Sequence, residues 1–200
     1  MDISFCVWFT GLPAAGKSTL AGLLKKALID RGFEVALLDG EQARRKLSPD
    51  LGFSRADRMI HLNRLADEAR KLIEAGNTVL VAAIAPYEAS RAAARARIGE
   101  YIEVFINCPL EVCLGRDPKG LYDRARKGEI KKFTGLDDPY ETPLRPDIEV
   151  RTAEESPEES LARIIKALEM MGRLPAPPAP GYTEEEERLV KERLRDLGYM

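Results

Sequence analysis

Cysteine, histidine and tryptophan are scarce in this chain, and neither charge sign dominates it. The three cysteines, Cys6, Cys108 and Cys113, form neither a paired disulfide framework nor the C-x-x-C spacing of a zinc or redox site. Lying in or beside apolar runs, they read as reduced core residues. No apolar run is long enough to span a bilayer. The run Ile3–Phe9 behind Met1 and Asp2 is too short for a signal peptide and lacks its basic flank. The 31 basic and 33 acidic residues leave a net charge of −2, with the basic ones scattered. No polyanion-binding stripe results, so neither nucleic acid nor a membrane is an expected partner. A cytoplasmic enzyme is the expected setting, and 200 residues suffice for one domain without disulfides or structural metal.

What is present is an alternation of strand and helix signals. Ile3–Phe9 is apolar and rich in β-branched and aromatic residues, reading as a buried strand. From Ser18, Leu20, Leu23, Leu24, Ala27 and Leu28 recur at helical spacing until Gly32. Glu34–Leu38 gives a second strand, ending at Asp39. Ser54 is placed to cap a long helix that closes at Gly76-Asn77. Further strands are expected at Thr78–Ile84, Tyr101–Ile106 and near Ile148, with helices over Ala89–Ile98, after Pro109, and over Pro157–Met171. Apolar strands joined by helices imply a mainly parallel sheet covered on both faces. Residues 116–146 break the alternation with a charged, turn-rich insert of the kind that serves as a lid. The expected organisation is a domain over 1–172, a proline-rich linker over 173–182 and an accessory helix over 183–200, where Thr183 and Glu186 make a capping box.

Gly11-Leu12-Pro13-Ala14-Ala15-Gly16-Lys17-Ser18, followed by Thr19, satisfies G-x-x-x-x-G-K-[ST] between a buried strand and an amphipathic helix. In such a loop main-chain N–H groups and the helix N-terminus surround the phosphates of a nucleoside triphosphate. Lys17 reaches the β and γ oxygens, and the Ser18 hydroxyl binds Mg²⁺. An ordinary glycine-rich turn has no need of Lys17 beside Ser18.

The loop alone specifies a nucleoside triphosphate. Further segments accompany it: Phe9-Thr-Gly-Leu, Leu38-Asp-Gly-Glu41, Asp50-Leu-Gly-Phe-Ser54, Asp57-Arg58, Ile84-Ala-Pro-Tyr87, Pro109-Leu-Glu-Val-Cys113, Arg116-Asp-Pro-Lys-Gly-Leu-Tyr122 and Phe133-Thr-Gly-Leu-Asp-Asp-Pro-Tyr-Glu141. Together they resemble the adenylylsulfate (APS) kinase family over roughly residues 3–170. The resemblance implies an α/β P-loop NTPase kinase fold, with a mainly parallel five-stranded sheet, helices on both faces and a lid. It also implies transfer of the ATP γ-phosphate to the 3′-hydroxyl of APS, giving 3′-phosphoadenylylsulfate (PAPS) and ADP, and a homodimer.

The resemblance further implies site roles. Asp39 stands near the attacking hydroxyl and the metal, beside Glu41. Arg44 and Arg58 receive the sulfate and phosphate of APS, Phe53 and Phe133 sandwich its adenine, and Ile84, Ala85, Pro86 and Tyr87 line its site with His61. In the lid, Arg116 serves ATP, and Lys119, Gly120 and Leu121 serve the substrate. Read from residue type alone, Asp39 could be a turn residue, the arginines solvated charges, and Phe53, Phe133 and Tyr87 packing residues.

Four positions depart from the family pattern: Glu41 where Asp is common, His61 where Asn is usual, Ala83 for Phe, and Ala85 for Ser. As the only histidine, His61 could replace the Asn hydrogen bond or sit on a helix surface. All four changes fall at the acceptor pocket. Two other readings stand beside an APS kinase: a kinase of another nucleotide, and a non-catalytic domain that binds APS or PAPS, which would not need Lys17, Ser18 and Asp39 together.

Overall fold

Five strands, β1 (Cys6–Thr10), β2 (Val35–Asp39), β3 (Thr78–Ala82), β4 (Tyr101–Asn107) and β5 (Ile148–Arg151), pair in parallel in the order β2-β3-β1-β4-β5. They come from a computed structural model that describes residues 4–175 and Arg195. The connecting helices are α1 (Lys17–Ile29), α2 (Gly40–Leu47), α3 (Arg55–Glu74), α4 (Glu88–Ile98), α5 (Leu110–Arg116), α6 (Leu121–Arg126) and α7 (Pro157–Met170). The central strands β1 and β3 are buried at every residue, which is why they read as continuous apolar runs. Side chains alternate across a strand, so Cys6, Trp8, Val79 and Val81 share one face. They pack there with Leu62, Leu65, Ala66 and Ala69 of α3 and with Ala94 and Ile98 of α4. Helix α1 packs against β1, β2 and β3, burying Leu20, Leu24 and Leu28. Each such leucine contributes roughly 1.5–3 kcal/mol by leaving water.

Helix α3 starts where expected: Ser54 accepts from the Asp57 N–H, and Asp57 accepts from the Ser54 N–H, a complete capping box. Helix α2 was not expected, because Ala43 is its only buried residue and apolar periodicity cannot reveal it. Its signal is electrical. Asp39 caps it, Glu41 lies in the first turn, and Arg44, Arg45 and Lys46 lie in the last, all complementary to the helix dipole. The expected lid over 116–146 is not structureless either, since it holds α6 and buries Tyr122, Phe133 and Thr134. All three cysteines are free and buried, as read from the sequence. One compact unit ends at Ala167; of the next, the end of α7 closes on Gly172, with Arg173 and Leu174 donating to the Leu168 carbonyl. Apart from 173–175 and Arg195, the expected linker and accessory helix lie outside the described residues. No helix among the described residues is long and apolar enough to cross a membrane.

Candidate active site

In an open parallel sheet, ligands bind outside the carboxyl ends of the strands, and the motif residues gather at that edge. The phosphate loop leaves β1 there. A Cβ at Gly11, whose φ is 151°, would approach the Ile106 carbonyl oxygen of β4 to 2.7 Å, so only glycine lets the loop lie this close. Ala14 takes a left-handed φ of 59°, and Gly16, at 111°, turns the chain into α1. Leu12, Pro13 and Ala15 complete the loop, and Ser18 and Thr19 open α1 exposed to solvent. Lys17 is buried, its Nζ donating to the carbonyls of Gly11 (2.9 Å) and Leu12 (2.6 Å). Burial pushes its pKa down to about 8, against the opposing pull of Cys113 and Asp39. A buried cation held by main-chain carbonyls is suited to an entering polyanion.

Asp39 joins this loop to the acceptor side. Its Oδ2 accepts from the Ser18 hydroxyl at 2.8 Å, while Oδ1 accepts from the N–H groups of Glu41 (3.1 Å) and Gln42 (3.2 Å). The carboxylate therefore caps α2 while also bonding the phosphate loop. On α2, Arg44 donates to the Gly52 carbonyl and lies 4.5 Å over the Phe53 ring. Arg58 of α3 stands 5.7 Å over the same ring and donates to the carbonyls of Phe53 (3.2 Å) and Lys132 (2.5 Å). Burial, then the Arg58 charge, lowers the Arg44 pKa, against the opposing pull of Asp57. Phe53 is 57% exposed beneath them. Phe133 has the opposite setting: it is buried, edge-on to Tyr122 at 4.9 Å.

His61 is buried, with Nδ1 3.0 Å from the Ser48 hydroxyl, which overturns its reading as a surface residue. Burial lowers its pKa to about 4, so the ring is neutral near pH 7. Beyond β3, the Ile84 carbonyl accepts from the Thr10 hydroxyl at 2.6 Å, and the Pro86 carbonyl accepts from the Glu141 N–H at 2.7 Å. Tyr87 is buried and donates to Asp138 at 2.8 and 2.9 Å, with Arg55 4.5 Å over its ring. Asp138 lies 3.8 Å from Arg58, so one carboxylate ties the tyrosine to that arginine.

The lid rests on the loop. Tyr122 donates to the Pro13 carbonyl at 3.1 Å, and a Cβ on Gly135 would meet Leu12 at 3.0 Å. A depression of about 580 Å³ opens between Leu12 and residues 135–142; its walls include neither Lys17 nor Asp39, so it adjoins the phosphate site without being it. Arg116 donates to the carbonyls of Ala15 (3.4 Å) and Thr152. Lys119 pairs with Glu41 at 2.5 Å, and this contact is the first cause of the lowered Glu41 pKa. Gly120, at a left-handed φ of 63°, and Leu121 open α6, whose first N–H groups are capped by Asp117. Thr152, which donates to the Ala15 carbonyl at 2.8 Å, carried no signal in the sequence. Asp138 and Tyr140 lie in the Phe133–Glu141 segment, but no spacing rule gives them partners.

Comparison with known proteins follows the same lines. The adenylylsulphate kinase family profile matches residues 3–151. An adenylyl-sulfate kinase of Burkholderia ambifaria is 50% identical over 175 residues, spanning 86% of this chain and 97% of that one. A probable bifunctional SAT/APS kinase of Sorangium cellulosum is 48% identical over 171 residues, and there the match spans 86% of this chain but 29% of the relative. Among solved structures, the Mycobacterium tuberculosis APS kinase in complex with AMPPNP and APS superposes with a TM-score of 0.80 at 44% identity, covering 83% of this chain and 98% of that one. With the phosphate loop, the Asp39 bridge and the paired arginines in one place, and with these matches over most of its length, the chain belongs to the adenylylsulfate kinase family.

Proposed function

We propose that this protein transfers the γ-phosphoryl group of ATP to the 3′-hydroxyl of APS, giving PAPS and ADP. The observation that carries this reading is the Asp39 carboxylate, which bonds Ser18 of the phosphate loop through one oxygen and caps the arginine-bearing α2 through the other. On this reading one carboxylate stands between a triphosphate site and an anion site, where an acceptor hydroxyl would meet the γ-phosphorus. In the reaction the 3′-oxygen bonds to that phosphorus, the bond to the β,γ-bridging oxygen breaks, and Asp39 accepts the hydroxyl proton late. Lys17 leaves the Gly11 and Leu12 carbonyls for the phosphates, and the loop N–H groups hold the charge that develops. Arg44 and Arg58 take the sulfate and phosphate of the acceptor by bidentate contact. Phe53, exposed under both guanidiniums, supplies one face for the adenine, and Phe133 the other. Ile84–Tyr87 and His61 shape the rest of that pocket. Lys119, through Glu41, draws the lid toward α2, and closure excludes water.

The Ser18 hydroxyl and Asp39 Oδ2, 2.8 Å apart, are the hard oxygen donors that Mg²⁺ prefers, so these residues fit the metal that accompanies ATP. When bound, Mg²⁺ neutralises charge on the β and γ oxygens. The test is ADP release with Mg-ATP in the presence and absence of APS. Release that requires APS, with an equal amount of PAPS formed, is expected; release at the same rate without APS would contradict the proposal.

A further inference from the structure

We propose that Arg91, in α4, is a positioning residue for the acceptor site: it holds the left-handed turn at Ala85 and so aims the Ile84–Tyr87 segment at the acceptor. This inference rests on the functional reading of that segment. Ala85 has a φ of 45° and is buried, a conformation alanine seldom adopts unless its surroundings impose it. The imposing group is the Arg91 guanidinium, which donates to the Ala85 carbonyl at 2.9 Å. Arg91 is itself immobilised at 2% exposure. It pairs with Glu88 at 2.5 Å, and its Nε stands 3.0 Å from Glu103 of β4 without the alignment of a hydrogen bond. Its guanidinium lies 5.9 Å from the Tyr140 ring centre. Tyr140 stacks on Phe105 and meets the Thr10 hydroxyl at 2.9 Å, and that hydroxyl donates to the Ile84 carbonyl. Successive carbonyls of the segment, Ile84 and Ala85, are thus each held by a side chain of this cluster.

A buried ion pair gives little net stability, because desolvating both charges offsets their attraction; specifying a geometry is its best-attested use. The geometry at stake is downstream. Releasing Ala85 to an ordinary φ would swing Pro86 and Tyr87, and with Tyr87 the Asp138 carboxylate that stands beside Arg58. The loop N–H of Gly11 (3.4 Å) and the Thr10 hydroxyl (2.6 Å) both bond Ile84, which precedes the strained turn, so the ATP side should feel the change weakly.

The experiment compares Arg91→Lys and Arg91→Gln, each alone and combined with Ala85→Gly, by steady-state kinetics in both substrates and by melting. Arg91→Gln should raise KM for APS at least about ten-fold, with KM for ATP within about two-fold, and Arg91→Lys should fall between it and the parent. Glycine adopts positive φ at no steric cost, so Ala85→Gly should recover most of the lost APS affinity in either background. A purely structural arginine would lower the melting temperature and leave KM for APS unmoved, or raise both KM values together, or show no recovery with Ala85→Gly; any of these overturns the inference. If Arg91→Gln does not fold, Arg91→Lys carries the same readouts. A parent protein inert toward APS would instead overturn the functional reading.

Discussion

In the phosphate loop, the groups offered to the nucleotide are main-chain N–H groups and one lysine, fixed by Gly11 against β4 and by the buried Lys17 ammonium. On the acceptor face they are long side chains fixed mainly by one another: Arg44 and Arg58 over Phe53, Glu41 on Lys119, Tyr87 on Asp138. The first arrangement depends on backbone conformation and tolerates little. The second depends on pairs that can be exchanged one residue at a time, and of the four departures from the family pattern Glu41, paired with Lys119, falls there, while His61, Ala83 and Ala85 are buried. On the proposed reading, reaction type and acceptor choice are carried by separable parts of one site, joined at Asp39.

The largest expected effect breaks the backbone-built side. Lys17→Ala should lower turnover by roughly 10²–10³-fold or more, because a preorganised charge at the developing phosphoryl is lost. The fold should persist, since the polar partners of the ammonium are loop carbonyls. Turnover and melting are measured together, and retained turnover or an unfolded protein would contradict the assignment. Next comes the joint between the two parts. Asp39→Asn keeps an N-cap for α2, because asparagine caps as well as aspartate, but removes the carboxylate that receives the proton. Turnover should fall roughly 10²-fold with ATP affinity within about two-fold. A near-normal single-turnover rate would reduce Asp39 to its capping role.

A smaller effect isolates the side-chain-built part. Phe53→Ala should raise KM for APS about ten-fold, as expected if stacking contributes about 1–2 kcal/mol, with ATP unaffected and melting unchanged because the ring is exposed. Phe133→Ala should also raise KM for APS and, unlike Phe53→Ala, lower the melting temperature, because Phe133 packs on Tyr122. Identical melting curves for the two variants would erase this distinction.

The smallest effect is a titration of the loop. Lys17 has a pKa of about 8 in the ligand-free protein, below its ordinary 10.5. Below pH 8 it is already a cation and ATP binding needs no proton. Above pH 8 binding must take one up, so ATP affinity should fall roughly three-fold between pH 7.5 and 8.5. The same shift makes the ligand-free fold bind fewer protons than the unfolded chain between about pH 8 and 10.5, so this group's contribution to stability rises with pH across that window. Calorimetry in buffers of different ionisation enthalpy reads the proton directly. No uptake at pH 8.5 would mean that Lys17 is fully charged before ATP arrives.

The same two regions differ in how legible they were in the sequence. The phosphate loop could be read because a fixed spacing carries its mechanism, and the sheet could be read because buried parallel strands are continuous apolar runs. Helix α2 could not, since one buried alanine gives no periodicity and its caps and charges were the only signal. The acceptor residues were nameable through family resemblance, but their partners were not: nothing in the spacing joins Tyr87 to Asp138 or Arg91 to Glu103, pairs that the sheet assembles from distant segments. His61 shows the limit most sharply. Its position matched a polar site residue, yet its burial and its bond to Ser48 depend on how α2 and the chain after it fold back over α3.

The most direct test of the account is competition among acceptors. With ATP saturating, kcat/KM is measured for APS and for nucleotides that lack the sulfate, such as adenosine 5′-monophosphate. If Arg44, Arg58 and Phe53 form an APS site, APS should be preferred by at least about 10²-fold, because leaving a guanidinium without its anion forfeits a charge-assisted bond. Equal or better turnover of a sulfate-free nucleotide would leave the kinase chemistry standing and contradict the assignment of the acceptor.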